Sequence, residues 1–394
     1  MKDASSPPPV WLTRTVAGFQ FLHAPVLRPE KAPDGFPPIE ITVNNGAQAG
    51  TLLFTPTTNP FSNGTAQFKP FIAEIDKASG TLIAYRRMAT KGYLFQPQPE
   101  GYSYAKLEHV GVNGAGHDGV HYISNERLET LYSIRSGVEG GTTDTHEFVR
   151  SGVNTIMLIS YRKRRQDLTA LGGAADALVY DPVIVERSLD GETLWLWDGA
   201  DHVPVYDAVA GPDVHLNVAP PAIVDHAHPN AISIVDSDHI LLSLKHQDCV
   251  LKIQKSTGDV VWRMGGPASS CNEFTFVEDA MGGFSHQHSV RSLPNGNILL
   301  FDNGTLHPVQ ESRAVEYEIN ETDKTARLVW SYANGQFSHA QGSVERLQNG
   351  NTLIGWGFAT RPFVSEVQPD GTPAFEANLP DGQIVYRVYQ GPER

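Results

Sequence analysis

Four segments of the chain align without a gap, and three of them begin with a polar side chain. They start at His146 (HEFVRSGVNTIML), Asn230 (NAISIVDSDHILL), His288 (HSVRSLPNGNILL) and Gly342 (GSVERLQNGNTLI). Two positions earlier, the second and third copies carry His228 and His286. Imidazole has an ordinary pKa of about 6.5, so it can act as a nucleophile or exchange a proton near neutral pH. If the copies repeat in space as they do in sequence, these groups form a polar ring.

The repeated pattern also predicts the elements that position this ring. Each copy has a polar start, an apolar run, a turn such as Pro294-Asn295-Gly296 and a second apolar run, which is a hairpin signature. A second hairpin pattern follows most copies, at 183–197, 250–264 and 314–330, with further examples at 71–85 and 363–377. Its last strand often ends in tryptophan, and these residues are expected to pack between units: Trp195, Trp197, Trp262 and Trp330.

Pairs of hairpins make four-stranded units, and the sequence contains about six of them. They cover 50–87, 88–135, 144–199, 226–266, 286–333 and 339–393. Repetition of strands and turns at this period is typical of a β-propeller. In a propeller the first strand of every blade lines the central channel, so equivalent side chains converge on the axis. The fold class predicted is therefore all-β, a six-bladed β-propeller.

Composition agrees with one large turn-rich domain. The chain has 36 glycines, 27 prolines, 40% hydrophobic and 19% charged residues, which is too apolar for a disordered chain. Residues 46–394 are expected to form the single propeller domain. Residues 1–45 are Pro-rich and show no sustained helical period, so we expect an extended N-terminal arm that packs on the ring.

Charge and apolar content exclude two classes of partner. With a net charge of −14, the chain lacks the basic surface that nucleic acid requires. No stretch approaches the length of about 18 apolar residues that predicts a membrane span. The first residues, MKDASSPPPV, lack the apolar core of a signal peptide, but a mature secreted chain would look the same, so the compartment stays open.

The cysteines indicate no metal site. Cys249 and Cys271 are too few to form a zinc site on their own, and a disulfide between them is possible but undecided. No other group of residues has a recognised metal-ligand spacing, so neither a metal nor a cofactor is expected. The oligomeric state is open.

Five runs of the sequence together resemble the arylsulfotransferase family, in particular its fungal-type branch. They are DTHEF (144–148), HPNAIS (228–233), ILLSLKHQDCVLKIQKSTGDVVWRMGG (240–266), FSHQHSVRSLPNGNILLFDNG (284–304) and GSVERLQNGNTLIGWG (342–357). The similarity extends in order over roughly residues 50–360, including the spacing between the runs. Proteins of this family are six-bladed propellers, which agrees with the number of units counted from the repeats.

The resemblance implies a sulfuryl transfer that uses no nucleotide cofactor and acts on a small aromatic substrate. In such enzymes a histidine takes the sulfuryl group from an aryl sulfate and passes it to a phenol. By motif, the nucleophile falls on His288. The residues expected to assist it are His146, His228, Asn230 and Lys245. Protonated or amide donors of this kind stabilise the negative oxygens of the transferred group.

One position departs from the family pattern. Lys245 stands where these enzymes usually present an arginine, and lysine is a point charge without the bidentate fork of arginine. Four further residues are expected to line the rim and contact substrate: Ser343, His286, His339 and His246. Asp302 and Asn303 are expected to fix the turn at the end of a strand rather than contact substrate.

Three classes of function remain open at this point. The first is an aryl sulfotransferase that works through a histidine intermediate. The second is a cofactor-free cyclase, isomerase or dehydratase of an aromatic or polyketide-like metabolite in secondary metabolism, with the same histidines and Lys245 as acid and base. The third is a propeller that only binds a ligand. The Lys245 departure supports the second class, and the in-phase polar positions argue against the third.

Overall fold

Six antiparallel sheets arranged around a channel form the protein. The structure is a computed structural model and describes residues 25–59, 68–109, 117–209 and 223–393. The innermost strands of neighbouring blades contact one another around the axis. The predicted six-bladed β-propeller is thereby confirmed.

The first three blades contain the following strands, in order from the axis outward. Blade 1 consists of Gln383–Gln390, Thr51–Thr58, Phe71–Asp76, Leu82–Arg87 and the short Val26–Leu27. Blade 2 consists of Gly92–Gln98, Gly101–His109, Asp118–Asn125 and Thr130–Ile134. Blade 3 consists of Phe148–Gly152, Thr155–Gln166, Ala177–Ser188 and Thr193–Asp198, with Ile223–Val224 paired in parallel to its third strand.

The other three blades follow the same plan. Blade 4 consists of Pro229–Ile234, His239–Leu244, Cys249–Gln254 and Val260–Gly265. Blade 5 consists of His288–Ser292, Ile298–Asp302, Arg313–Asn320, Thr325–Ala333 and an outer parallel strand, Thr275–Val277. Blade 6 consists of Ser343–Arg346, Thr352–Gly355, Val364–Val367, Pro373–Asn378 and Glu40–Asn44.

The strand register matches the gapless alignment of the sequence. In three of the aligned copies the third position pairs with the thirteenth: Phe148↔Leu158, Ile232↔Leu242 and Val344↔Ile354. The copy that starts at His288 has a register shift between His288 and Arg291. The positions at the start of each copy lie at one end of the channel.

The ring is closed differently from the sequence expectation for the unit 339–393. The strand Gln383–Gln390 is the innermost strand of blade 1, where it pairs with Thr51–Thr58. Glu40–Asn44, within the predicted arm, pairs with Pro373–Asn378 as the outermost strand of blade 6. Both ends of the chain thus fasten the ring, and this pairing covers strand edges that would otherwise be free.

Large apolar side chains fill the spaces between blades. Trp197 and Trp195 pack on blade 4 residues, Trp262 packs between blades 4 and 5, and Trp330 packs against blade 6. Cys249 and Cys271 are free thiols with sulfur atoms 2.8 Å apart. In the part of the chain that the structure describes, no helix has the length and apolar character needed to cross a bilayer.

Candidate active site

Histidines from successive blades meet at the end of the channel where the innermost strands begin. The ring centroids of His146 and His228 are 4.9 Å apart, and those of His228 and His246 are 4.6 Å apart. His286 continues the series, 6.3 Å from His246. His146 and His228 each keep 6% of their surface exposed, whereas His246 is fully buried. These four histidines, together with His288, are called the histidine cluster below.

Left-handed backbone turns aim the side chains of this cluster. His228 and His286 have φ angles of 48° and 50°, just before the innermost strands of blades 4 and 5, and Gln341 has a φ of 65° before blade 6. Such angles cost non-glycine residues about 1–3 kcal/mol and persist only where the surroundings enforce them. Blades 4 and 5 therefore use the same backbone turn at the same aligned position, and blade 6 has a similar turn one position later.

Two histidines of the cluster have a carboxylate partner that fixes their orientation. Asp144 Oδ1 accepts hydrogen bonds from His146 Nδ1 and from the His146 backbone N–H, both at 2.7 Å. Asp225 accepts from His228 Nδ1 at 2.5 Å and from its backbone N–H at 2.9 Å. Because Nδ1 is held in each case, Nε2 is the ring atom left to act on a ligand, as in an Asp–His pair of a catalytic triad.

His288 has a neutral partner instead. Its Nδ1 lies 2.7 Å from Asn303 Oδ1. The Asn303 amide nitrogen donates to the carbonyl groups of Ser338 (2.7 Å) and Gln341 (2.9 Å), so its oxygen must face the imidazole. Nδ1 of His288 therefore carries the proton, and Nε2 is unprotonated and accepts a hydrogen bond from the Gln341 backbone N–H at 3.2 Å. Burial, and then the charge of Lys245, lower the pKa of His288 well below its usual value.

Lys245 brings a cation to the same place. It begins the short 3₁₀ helix Lys245–Gln247, which follows the second strand of blade 4, and its backbone N–H donates to the carbonyl of His228 at 3.1 Å. Lys245 is 3% exposed. The pKa of the neighbouring His246 is lowered mainly by burial, with the charges of His228 and Lys245 contributing in the same direction. The positive charge of the site is thus supplied from blade 4.

Three predicted residues lie beside the cluster or outside it, and a fourth, His286, is its most buried end. Asn230 is buried and its amide nitrogen donates to the Gln287 carbonyl at 2.8 Å, so it ties blade 4 to blade 5. The Ser343 hydroxyl bonds the Val388 backbone and faces a different part of the channel. His286 is fully buried behind His246. His339 is exposed and its ring packs on Phe358 at 4.2 Å.

Blades 1 and 2 supply residues that the sequence did not suggest. Tyr386, on the innermost strand of blade 1, lies 5.6 Å from the His146 ring and donates from its hydroxyl to the His146 carbonyl at 3.0 Å. Tyr93 lies 6.2 Å from the same ring, and His117 stacks on it at 5.6 Å. Burial raises the pKa of both tyrosines and lowers that of His117 to about 4. The cluster therefore has an aromatic, uncharged wall.

An ion-pair layer separates this end of the channel from the rest. Glu147 accepts from Arg387 at 2.8 Å and from Arg291 at 3.1 Å, and Arg387 also donates to the Asn230 carbonyl at 2.6 Å. Burial opposes ionisation of Glu147, but the two arginines outweigh it and lower its pKa. Farther along the strands lies a cavity of about 340 Å³, lined in part by Ser343 and Arg291. The ion-pair layer thus lies between this cavity and the histidine cluster.

One group within the cluster has the composition of a metal site. Asp225, His228 and His246 offer ligand atoms within 4.8 Å of one another. However, Asp225 already accepts from Nδ1 of both histidines, at 2.5 Å through its carboxylate and at 2.6 Å through its backbone carbonyl. The Nδ1 atom of each histidine is therefore already bonded, and a cation that used these atoms would have to replace those hydrogen bonds.

Comparisons with known proteins found a matching family model, a related sequence and a similar fold. The sequence profile of the arylsulfotransferase (ASST) family matches residues 101–387. Arylsulfate sulfotransferase AssT of Escherichia coli O6:H1 is 28% identical over 171 residues, which cover 35% of this chain and 28% of that protein. The match thus spans less than a third of that relative. A solved protein of unknown function from Bacteroides caccae superposes with a TM-score of 0.51 at 12% identity, over 86% of this chain and 98% of the other, which shows the fold alone.

Proposed function

Because the chain belongs to the arylsulfotransferase family, we propose that it is an enzyme that moves a sulfuryl group from an aryl sulfate to a phenol through a covalent intermediate on His288. The observation that carries this proposal is the bonding of the His288 ring. Asn303 holds the proton on Nδ1, so the lone pair of the ring lies on Nε2, where the nearby Lys245, His228 and His146 act on it electrostatically.

In the first half-reaction, the Nε2 lone pair of His288 attacks the sulfur of the aryl sulfate. The S–N bond forms while the S–O bond to the aryl group breaks, and the phenolate leaves with the electron pair. The intermediate splits one difficult transfer into two easier steps. A low pKa suits this role, since the imidazole then stays unprotonated at neutral pH. Before attack, the substrate must displace the Gln341 N–H from His288 Nε2, to which it donates a long hydrogen bond.

The surrounding donors suit the negative oxygens of the sulfuryl group. Lys245 offers a cation, and His146 and His228 would donate from Nε2 as imidazolium ions, with their Nδ1–H groups held by Asp144 and Asp225. In a site this buried, such donors stabilise developing charge more strongly than they would in water. Lysine replaces the fork of arginine with a single point charge, so the site binds the oxygens through several separate donors.

A second candidate is acid–base catalysis on an aromatic or polyketide-like metabolite, without sulfate. The pairs Asp144–His146 and Asp225–His228 favour it, because each is arranged like the acid–base pair of a triad. In this candidate His288 has no covalent role. The two candidates therefore differ in what the loss of His288 does to the reaction.

The proposal is tested with 4-nitrophenyl sulfate as donor and phenol as acceptor. Release of nitrophenol that depends on the acceptor is expected for the purified chain, and His288→Ala should abolish it. His339→Ala is the matched control, because His339 is an exposed histidine that packs on Phe358 outside the cluster. Turnover that survives in His288→Ala would reject the covalent mechanism and favour the acid–base candidate.

A further inference from the structure

Lys91 is a cation at the edge of the site that no described carboxylate neutralises. It directly precedes the innermost strand of blade 2, Gly92–Gln98, and is half-buried. Its Nζ lies 4.5 Å from the centre of the Tyr93 ring and 5.7 Å from that of Tyr386. Among the residues that the structure describes, no ion pair or hydrogen bond from Lys91 to an acidic side chain occurs; its contacts are aromatic.

The same two tyrosine rings connect Lys91 to the histidine cluster. Tyr93 and Tyr386 both contact His146, at 6.2 and 5.6 Å between ring centres. His117, which stacks on His146, is close enough for the charge of Lys91 to lower its pKa further. The titratable groups that face the amine are thus His117, Tyr93 and Tyr386, and none of them carries a negative charge near neutral pH.

The position of Lys91 in the ring matters for the direction of attack. In a six-bladed ring, blade 2 lies across the axis from blade 5, which carries His288. In a displacement of this kind, the attacking and leaving atoms lie roughly in line on opposite sides of the transferred group. With His288 Nε2 on one side of the sulfur, the aryl oxygen of donor or acceptor is therefore directed toward blade 2.

Resting on the function proposed above, we propose that the amine of Lys91 is the acid and base for the aryl oxygen. In the first half-reaction, the Lys91 ammonium gives a proton to the departing phenolate and becomes a neutral amine. In the second, the amine takes the proton of the acceptor phenol. The phenol oxygen then forms the O–S bond while the S–N bond breaks and returns its electron pair to His288 Nε2. Protons balance over the cycle without an outside source.

The other groups at this wall fit the role less well. Burial lowers the pKa of His117 to about 4, so its ring does not hold a proton for the leaving group at neutral pH. The buried tyrosines keep their own protons because their pKa values are raised. Burial lowers the pKa of Lys91 to about 7, so both of its forms are populated at neutral pH, which suits an acid–base catalyst.

The test separates the two half-reactions in Lys91→Met and Lys91→Arg. With 4-nitrophenyl sulfate and no acceptor, the burst of nitrophenol should stay within a few-fold of the wild type, because this leaving group departs without a proton. Transfer to phenol should fall by about a hundred- to ten-thousandfold, as for loss of a general base. With phenyl sulfate as donor, the burst of phenol should also be lost in the variants, because this leaving group needs the proton.

The pH profile and a matched control complete the design. In the wild type, transfer to phenol should rise with pH through about 7, as the neutral amine forms, and this rise should be absent in both variants. Lys163→Met is the control, because Lys163 also lies over a tyrosine ring, at 5.2 Å from Tyr180, but on an exposed face of blade 3. Lys91→Arg keeps a cation over the rings of Tyr93 and Tyr386, so this variant provides the test if Lys91→Met fails to fold.

Each outcome has one meaning. No burst in the wild type would reject the proposed function itself. A normal burst together with normal transfer to phenol in Lys91→Met would overturn the role of Lys91 and leave the function standing. Full transfer in Lys91→Arg would also overturn it, because arginine supplies the charge but stays protonated and cannot act as the base.

Discussion

Replacing Asn303 with aspartate should move the pH dependence of the first half-reaction. Asn303→Asp keeps an oxygen 2.7 Å from His288 Nδ1, so the proton stays on that atom. It also places a negative charge beside a buried imidazole whose pKa is normally held low by burial and by Lys245. The new charge favours the imidazolium form, in which Nε2 is protonated and cannot attack.

The magnitude follows from the distance and the burial. An opposite charge in direct contact shifts the pKa of a group by about one to three units, here upward. The active form of His288 is the neutral one, so activity present above its pKa is lost as the pH falls through it. The substitution also removes the amide donor from the carbonyl groups of Ser338 and Gln341. The Ser338 carbonyl keeps the Ser312 hydroxyl at 3.3 Å. Loss of the donor to the Gln341 carbonyl costs about 1–3 kcal/mol, so the free energy of unfolding should fall too.

The assay is the nitrophenol burst from 4-nitrophenyl sulfate, followed against pH without acceptor. The acid limb in Asn303→Asp should lie about one to three units above that of the wild type, and a thermal melt should report the loss of stability. Asn320→Asp is the control, since it makes the same change at an exposed position. A folded Asn303→Asp protein with an unchanged acid limb would refute the explanation of how His288 is kept neutral.

Three other substitutions separate the roles of neighbouring groups. His228→Ala should lower the burst rate by about a hundred- to thousandfold without abolishing it, as for loss of one oxyanion donor, and complete loss would assign it a larger role. Lys245→Arg should preserve or raise the affinity for aryl sulfate, measured as KM, because it restores the bidentate guanidinium group of arginine. A large loss of turnover in this variant would favour the acid–base candidate, because arginine cannot act as a base. Arg387→Met should leave the buried Glu147 with Arg291 as its remaining arginine and remove the donor to the Asn230 carbonyl, so it should destabilise the protein by up to about 3–5 kcal/mol in urea unfolding; an unchanged midpoint would show that the ion-pair layer is not structural.

The repeats made the architecture predictable from sequence. Ungapped copies fix the strand register, and register fixes which side chains reach the channel. The closing strand Gln383–Gln390 was assigned to the last unit because it follows that unit in the chain, whereas its pairing with Thr51–Thr58 is a contact between distant segments. Only the folded ring brings these segments together.

The site was predictable where a polar residue recurs in phase and not elsewhere. His146 and His228 follow from the repeat, but their partners Asp144 and Asp225 lie in the loops just before it, where carboxylates are common and uninformative. Tyr93 and Tyr386 lie on apolar strands whose sequence resembles any blade core. Their nearness to His146 depends on the packing of three separate blades.

The last repeat shows why a position in an alignment does not determine a contact. Gly342 is aligned with His146, Asn230 and His288 but has no side chain. The neighbouring Ser343 forms hydrogen bonds with the Val388 backbone and does not reach the cluster. In this repeat a backbone group contacts the cluster instead: the N–H of Gln341 donates to His288 Nε2 at 3.2 Å. A left-handed φ of 65° at Gln341 makes this possible, and no side-chain pattern encodes it.

Peptide mapping by mass spectrometry after brief exposure to 4-nitrophenyl sulfate, without a phenol, tests the central claim most directly. The covalent mechanism predicts a mass increment of one sulfuryl group on the peptide that contains His288, lost again when phenol is added and absent in His288→Ala. An unmodified His288 peptide in a protein that has released nitrophenol, or a stable increment on another residue, would contradict it.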